Sequence, residues 1–319
     1  MLDLNAIRDA QRRIDGTLRR TPLERSTQLG RRAGVSLWLK CENLQTTGSF
    51  KVRGAYNKLC AMDPATRARG VVTVSAGNHA QALAWAARAL DVPCTVVMPA
   101  HASQSKADAS AGYGAQVIRH GTGAEAFVRA RAIAAERDLT FVHPFDDPEI
   151  GAGAGTVGAE LVAQIAELGE RLDAVIVPIG GGGLIAGVAT AVKALDPRVL
   201  VYGVEPVGAA VMRHSLDAGR PERLDTLNTI ADGLAAPMAG ELPYDVVTRC
   251  VDDVVLVRDE EIAEAMGALL SRTKLLAEPA GAAATAAVLY GKAPLRPGSV
   301  VVAIVSGGNV DLPRLKELL

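Results

Sequence analysis

The sequence predicts an α/β protein of two domains, each a mostly parallel open sheet covered by helices. Three observations predict it. Short apolar strands alternate with helix-patterned segments through 71–142 and again through 174–305, and strands separated by helices pair in parallel. Several of these strands run directly into loops of small residues, Ser75-Ala76-Gly77-Asn78-His79 and Gly180-Gly181-Gly182-Gly183 among them. The chain has 319 residues, of which 49% are hydrophobic, enough to core one large domain or two medium ones.

In order along the chain, residues 3–19 read as an amphipathic helix, with Leu4, Ile7, Ala10, Ile14 and Leu18 on one face and arginines opposite. Pro22 ends it. Residues 35–40 alternate as a strand does. The polar loop Thr46-Thr47-Gly48-Ser49 follows, and after it Val52, Ala55, Tyr56 and Leu59 recur at helical spacing. Residues 64–70 read as a turn-rich crossing between domains. Strands at 71–74, 94–98, 116–118 and 140–142 then alternate with helices ending near 90, 110 and 137, a compact unit over 66–147. The second set begins with the Gly151–Gly155 stretch and a helix to about 171. Strands at 174–179, 199–205, 253–257 and 300–305 follow, with helices after Gly183, over 259–275 and from Glu278-Pro279-Ala280-Gly281. The expected domains are 1–65 with 148–319, and 66–147.

Composition removes several function classes. A net charge of −1 leaves no footprint for nucleic acid or an anionic membrane. Cys41, Cys60, Cys94 and Cys250 are scattered, without the spacing of a zinc site or a disulfide framework. Charges near the N-terminus do not suit a secretory signal, and no apolar run is long enough to span a bilayer. A cytoplasmic protein acting on a small molecule is expected.

Lys51 falls in the first turn of the helix that follows the polar loop. There the positive end of the helix dipole and partial desolvation both favour the neutral amine that a Schiff-base lysine needs. A surface lysine after a helix cap is the plainer alternative. Gly180–Gly183 join a buried strand to a helix, where bare backbone amides point at an anion. This is a phosphate site by mechanism and lacks the Gly-Lys-Ser/Thr of a nucleotide P-loop. It also satisfies a dinucleotide pattern, Gly181-x-Gly183-x-x-Ala186 with Glu205 ending the next strand, so an NAD-dependent oxidoreductase is a rival reading. Ser75–His79 can hold a carboxylate at a helix start, and Ser306, ending the last strand in Ser306-Gly307-Gly308-Asn309, can face a ring nitrogen. A non-enzymatic α/β binding protein is the third class.

Ser49-Phe50-Lys51-Val52-Arg53-Gly54, Ser75-Ala76-Gly77-Asn78-His79, the 180–183 glycines, Glu278-Pro279-Ala280-Gly281 and Ser306-Gly307-Gly308-Asn309 occur in that order. The chain thereby resembles the fold-type II pyridoxal-phosphate enzymes, the threonine/serine dehydratase and serine racemase group, over nearly its whole length. The resemblance implies pyridoxal 5'-phosphate as cofactor and a homo-oligomer, a homodimer. It implies that Lys51 holds the cofactor and becomes the base for the substrate Cα proton. Phe50 packs near the ring, Asn78 bonds its 3-hydroxyl, and Gly180, Gly181, Gly182, Gly183 and Leu184 supply amides to the phosphate. Gly233 lies close to the ring, and Ser306 faces its nitrogen. Ser75, Gly77, Asn78 and His79 surround the substrate carboxylate. The implied reaction removes water and ammonia from an L-β-hydroxy amino acid such as L-threonine or L-serine, leaving a 2-oxoacid. Racemisation of serine and dehydration of 3-hydroxyaspartate or a hydroxyectoine-derived amino acid are the neighbouring alternatives.

Three positions depart from that group. Relatives hold a divalent cation with the residue matching Glu205, a backbone carbonyl near Ala209 and a carboxylate where this chain has Val211; no metal is expected here. Gln is common where this chain has Ala154, a change with no physical account. Serine racemases carry a serine where this chain has Ala76, and alanine has no transferable proton, so elimination without racemisation is expected.

Overall fold

The computed structural model describes residues 2–319. The chain opens with α1 (Leu4–Ile14), then β1 (Leu23–Arg25), α2 (Thr27–Ala33) and β2 (Ser36–Cys41). Helices α3 (Lys51–Ala61) and α4 (Pro64–Arg69) lead to β3 (Val71–Val74), α5 (Asn78–Ala89), β4 (Cys94–Met98) and α6 (Gln104–Gly112). Next come β5 (Gln116–Arg119), α7 (Gly123–Glu136), β6 (Thr140–Phe141) and the long α8 (Pro148–Glu167). They are followed by β7 (Ala174–Pro178), α9 (Gly183–Leu195), β8 (Leu200–Pro206), α10 (Val211–Ala218) and α11 (Glu241–Cys250). The chain finishes with β9 (Asp253–Val257), α12 (Asp259–Thr273), α13 (Pro279–Leu289), β10 (Val300–Val305) and α14 (Leu312–Leu318).

The strands form two sheets, one of six strands in the order β1-β2-β10-β7-β8-β9 and one of four in the order β5-β4-β3-β6. Every pairing is parallel except that of β1 with β2. Strands β7, β8 and β9 proceed outward in one direction, whereas β10 returns to the other side of β7. Ligands bind at the carboxyl edge of such a reversal. The three adjacent strands β2, β10 and β7 deliver the Lys51 loop, Ser306 and the glycine run to that one edge. In the smaller sheet β3 and β6 are neighbours, and they deliver Ser75–His79 and His143–Phe145.

Three differences from the sequence expectation have local causes. The first helix stops at Ile14, and Leu18 packs from a turn beyond it. The expected crossing at 64–70 is the helix α4, with Pro64 at its start and the Asp63 carboxylate accepting from the Thr66 amide; Asp-Pro is a helix start as well as a turn. A domain boundary at 65–66 would cut it. The Gly151–Gly155 stretch lies inside α8, capped by Asp147. These glycines bring helix backbones together. A Cβ on Gly153 would sit 2.4 Å from the Arg53 carbonyl of α3, and one on Gly187 of α9 would sit 2.3 Å from the Gly151 carbonyl of α8. Helices α3, α8 and α9 are thus joined at backbone distance.

Candidate active site

Four helices begin at the meeting of the two sheets. Lys51 opens α3, Asn78 opens α5, Gly183 opens α9 and Glu278 precedes the first residue of α13. Each start contributes unpaired amides and the positive end of a dipole. A pocket ringed in this way favours anions and disfavours a protonated amine.

A closed circuit of contacts defines the ring. Lys51 Nζ donates to the Pro144 carbonyl at 2.9 Å. The neighbouring Phe145 ring covers the glycine loop, where a Cβ on Gly181 would lie 2.5 Å from its carbons. Gly180 approaches the backbone of Gly233 and Leu234, and a Cβ on Gly233 would be 2.9 Å from that of Ala280. Glu278 Oε1 accepts from Asn78 Nδ2 at 2.6 Å, and Asn78 Oδ1 accepts from Asn309 Nδ2 at 2.7 Å. Ser306 Oγ donates to the Ala280 carbonyl at 3.3 Å, and the Ser306 carbonyl accepts from the Phe50 amide at 3.1 Å, closing the circuit beside Lys51. The Phe50 ring lies 5.3 Å from the Lys51 amine.

Burial pulls the Lys51 amine down to about 8. His79 sits beside Lys51 and His143, and burial followed by those two neighbours holds its imidazole well below the usual range, hence neutral. Neither of its ring nitrogens makes a well-formed hydrogen bond, and the buried Ser49 hydroxyl has no partner either. Buried polar atoms without partners, next to bare glycine amides at a helix start, fit a polar aromatic cofactor carrying a phosphate. Lys51, Asn78, Gly180–Gly183, Leu184, Gly233, Ser306 and Phe50 all lie on or beside the circuit. Ser75 and Gly77 share the β3–α5 turn, where Ser75 Oγ accepts from the Gly77 amide at 3.1 Å. His79 lies in the first turn of α5, so it brings a backbone amide to the turn as well as its unpartnered imidazole.

Sequence reasoning missed Pro144, Phe145 and Glu278 as members. Phe145 continues a stack of rings, Phe127–Phe141 at 5.5 Å, Phe141–His143 at 6.1 Å and His143–Phe145 at 4.6 Å. The chain has four phenylalanines, and two of them, Phe50 and Phe145, reach this ring; their scarcity was the available signal. Glu278 is buried, and burial raises its carboxyl to about 8 against the opposing pull of the Asn78 hydrogen bond.

Behind Lys51 lies a dry ionic cluster. Arg53 spans Glu42, at 2.8 Å through Nε, and Glu160, at 2.6 Å through Nη1, and Lys40 Nζ also reaches Glu160 at 2.8 Å. It fixes α3 against β2 and α8.

Glu205, at the end of β8, is fully buried and both its oxygens accept backbone amides, from Met212 and from Arg213, each at 2.8 Å. Val211 is in the apolar core. Among the described residues no three His, Cys, Asp or Glu side chains converge as a metal site. These residues do not fit the divalent cation of the resembling group, which needs several free oxygens. Treatment with EDTA is expected to leave turnover unchanged and added magnesium to raise nothing; a saturable loss restored by magnesium would contradict this. The same two bonds oppose the dinucleotide reading, which needs Glu205 free for a ribose.

A family model described as pyridoxal-phosphate dependent enzyme matches residues 14–307. The chain is 43% identical over 320 residues to an L-threonine ammonia-lyase of Thermotoga maritima, covering all of this chain and 78% of that protein. It is 40% identical over 317 residues to the L-threonine dehydratase catabolic TdcB of Escherichia coli K12, covering 99% of this chain and 95% of that one. Among solved structures, maize serine racemase superposes with a TM-score of 0.94 at 39% identity, covering 99% and 96%. The threonine deaminase of Solanum lycopersicum, isoform 2 in its processed form, superposes with a TM-score of 0.93 at 36% identity, covering 98% and 91%.

Proposed function

From the premise that this chain belongs to the pyridoxal-phosphate dependent enzymes, we propose that it is an ammonia-lyase that eliminates water from L-threonine and L-serine. The observation that carries this reading is the half-buried Lys51 amine, lowered to about 8 and donating to the Pro144 carbonyl in the same ring as the glycine loop. Gly180–Gly183 and Leu184 hold the phosphate, Asn78, Gly233 and Phe50 flank the ring, and Ser306 meets its nitrogen. The amides and hydroxyl of Ser75, Gly77, Asn78 and His79 hold the substrate carboxylate.

When bound, the cofactor supplies a sink for the electron pair left as the Cα–H bond breaks. The neutral Lys51 amine takes that proton. The Cβ–O bond then breaks, and its oxygen leaves as water with a proton returned from the Lys51 ammonium, which restores the neutral amine. The resulting enamine tautomerises, and a second water hydrolyses it to a 2-oxoacid and ammonia. The Ser306 hydroxyl, which donates to the Ala280 carbonyl, would face the ring nitrogen when the cofactor is bound. A neutral hydroxyl there, in place of a carboxylate, would not support protonation of that nitrogen, which suits prompt loss of the β-hydroxyl.

The second reading is serine racemisation, favoured by the superposition on maize serine racemase. It needs an acid on the face opposite Lys51, and Ala76 offers none. The test is incubation with L-threonine and L-serine, following 2-oxoacid release together with chiral chromatography of the remaining serine. Release of 2-oxobutanoate and pyruvate with little D-serine is expected. D-serine forming as fast as pyruvate would move the protein to the racemases. The four-stranded sheet supports drawing the small domain at about 66–147 in this reading, with α4 kept whole. The reading further makes the protein a cytoplasmic homodimer; among the described residues no helix is long and apolar enough to cross a membrane.

A further inference from the structure

The glycine loop is walled from outside the ring. Gly182 adopts φ +97°, the left-handed region, and a Cβ there would lie 2.5 Å from Pro243 Cβ and 2.9 Å from the Met212 methyl. Met212 is fully buried in the core that contains Leu184 and Ile185 of α9. It is also the second residue of α10, and its amide is one of the two that the Glu205 carboxylate caps. A carboxyl group whose two oxygens accept two first-turn amides caps a helix start; burial raises Glu205 to about 7, and these two bonds act against that rise. The cap pins the α10 start to the end of β8, the neighbour of the strand that feeds the glycine loop. A thioether is the side chain best able to fill the irregular space above a bare glycine backbone.

We propose that Glu205, through the first turn of α10 and the Met212 methyl, is a positioning residue that keeps Gly182 in the conformation aiming the loop amides at a phosphate. The cap thus stands where the resembling enzymes place a cation. The inference rests on reading residues 180–183 as the phosphate site, and it assigns Met212 and Glu205 a part that neither touches directly.

The test uses the full chain stripped of cofactor and reloaded, with binding followed by absorbance. Pyridoxal 5'-phosphate is compared with pyridoxal, which lacks the phosphate. Met212→Ala is expected to weaken binding of the phosphate form about tenfold while leaving pyridoxal nearly unchanged, and Met212→Leu to recover most of the loss. Glu205→Gln is expected to act in the same direction. Equal weakening of both compounds, or none, would reduce Met212 to ordinary core packing and overturn the proposal. Should Glu205→Gln fail to fold, as judged by far-UV circular dichroism, the two Met212 variants decide alone. Gly181→Ala separates the premises. If it leaves the preference for the phosphate form intact, the phosphate-site reading falls, and the inference with it. If it abolishes the preference while Met212→Ala does not, only the strut falls.

Discussion

Replacing Lys51 with alanine is expected to lower 2-oxoacid release about 10²–10⁴-fold, the contribution of a positioned proton acceptor. It is also expected to leave no peptide that borohydride joins to the cofactor. The amine is half-buried in the ring, donates to the Pro144 carbonyl and is depressed by desolvation. It can attack a carbonyl or accept a proton only when neutral. As pH rises through about 8 the neutral fraction grows and then saturates, so cofactor capture by the stripped protein should accelerate across that range and level off above it. A flat profile there would show that Lys51 is not the capturing amine. The stability of the stripped fold should rise above that range, from about pH 8 to about 10.5. Between about 8 and the ordinary 10.5, the unfolded chain still binds the proton that folded Lys51 has released. A borohydride-labelled peptide lacking Lys51 in the unaltered protein would remove it from the mechanism altogether.

The second large effect belongs to Arg53. Arg53→Met is expected to lower the free energy of unfolding by about 3–5 kcal/mol, read from the urea midpoint. The replacement leaves Glu42 fully buried without its cation and strips Glu160 of its bidentate partner, with only Lys40 remaining. The loss should exceed by far that of Arg12→Met, whose pair with Asp9 is exposed and where a surface bridge contributes about 0–1 kcal/mol. Equal effects of the two substitutions would mean that the interior cluster relaxes or admits water. Because Arg53 lies one half-turn beyond Lys51 on α3, the variant should also retain cofactor less well at the same temperature.

Much of this architecture was legible in the sequence because it is written in local patterns. The strands β3, β7 and β10 are short, mostly apolar runs followed by small residues, and their carboxyl-end loops are where the site forms. Lys51, Asn78, the 180–183 glycines and Ser306 were candidates because five motifs, each weak alone, occur together in one order, and the structure brings these residues to one ring. What stayed hidden depends on partners far away in sequence. Helix α4 was lost to the double meaning of Asp-Pro. The start of α8 at Pro148 was not placed, because helix propensity counts against the glycines within 151–155, whereas here close backbone packing overrides it. Pro144 and Phe145 carry no motif; Pro144 enters through a carbonyl, a group every residue has. The purpose of Glu205 was open until its two amide donors, seven and eight residues further on, could be seen.

The seam of glycines between α3, α8 and α9 has a mechanical consequence. Helix α3 begins with the lysine and α9 begins at the glycine loop, and both touch α8 backbone to backbone, at Gly153 against Arg53 and at Gly187 against Gly151. Protein interiors packed at that distance transmit displacement and do not absorb it. The lysine and the loop therefore travel as one piece, with their spacing set by backbone. The β3–α5 turn joins the same piece less directly, through the Asn78 hydrogen bonds to Glu278 and Asn309 and through side-chain packing of α5 on α3 at Val52, Leu59, Ala80 and Leu83. The distance between the amine and the glycine loop is therefore a property of the main chain, whereas the third side of the ring is set by side chains.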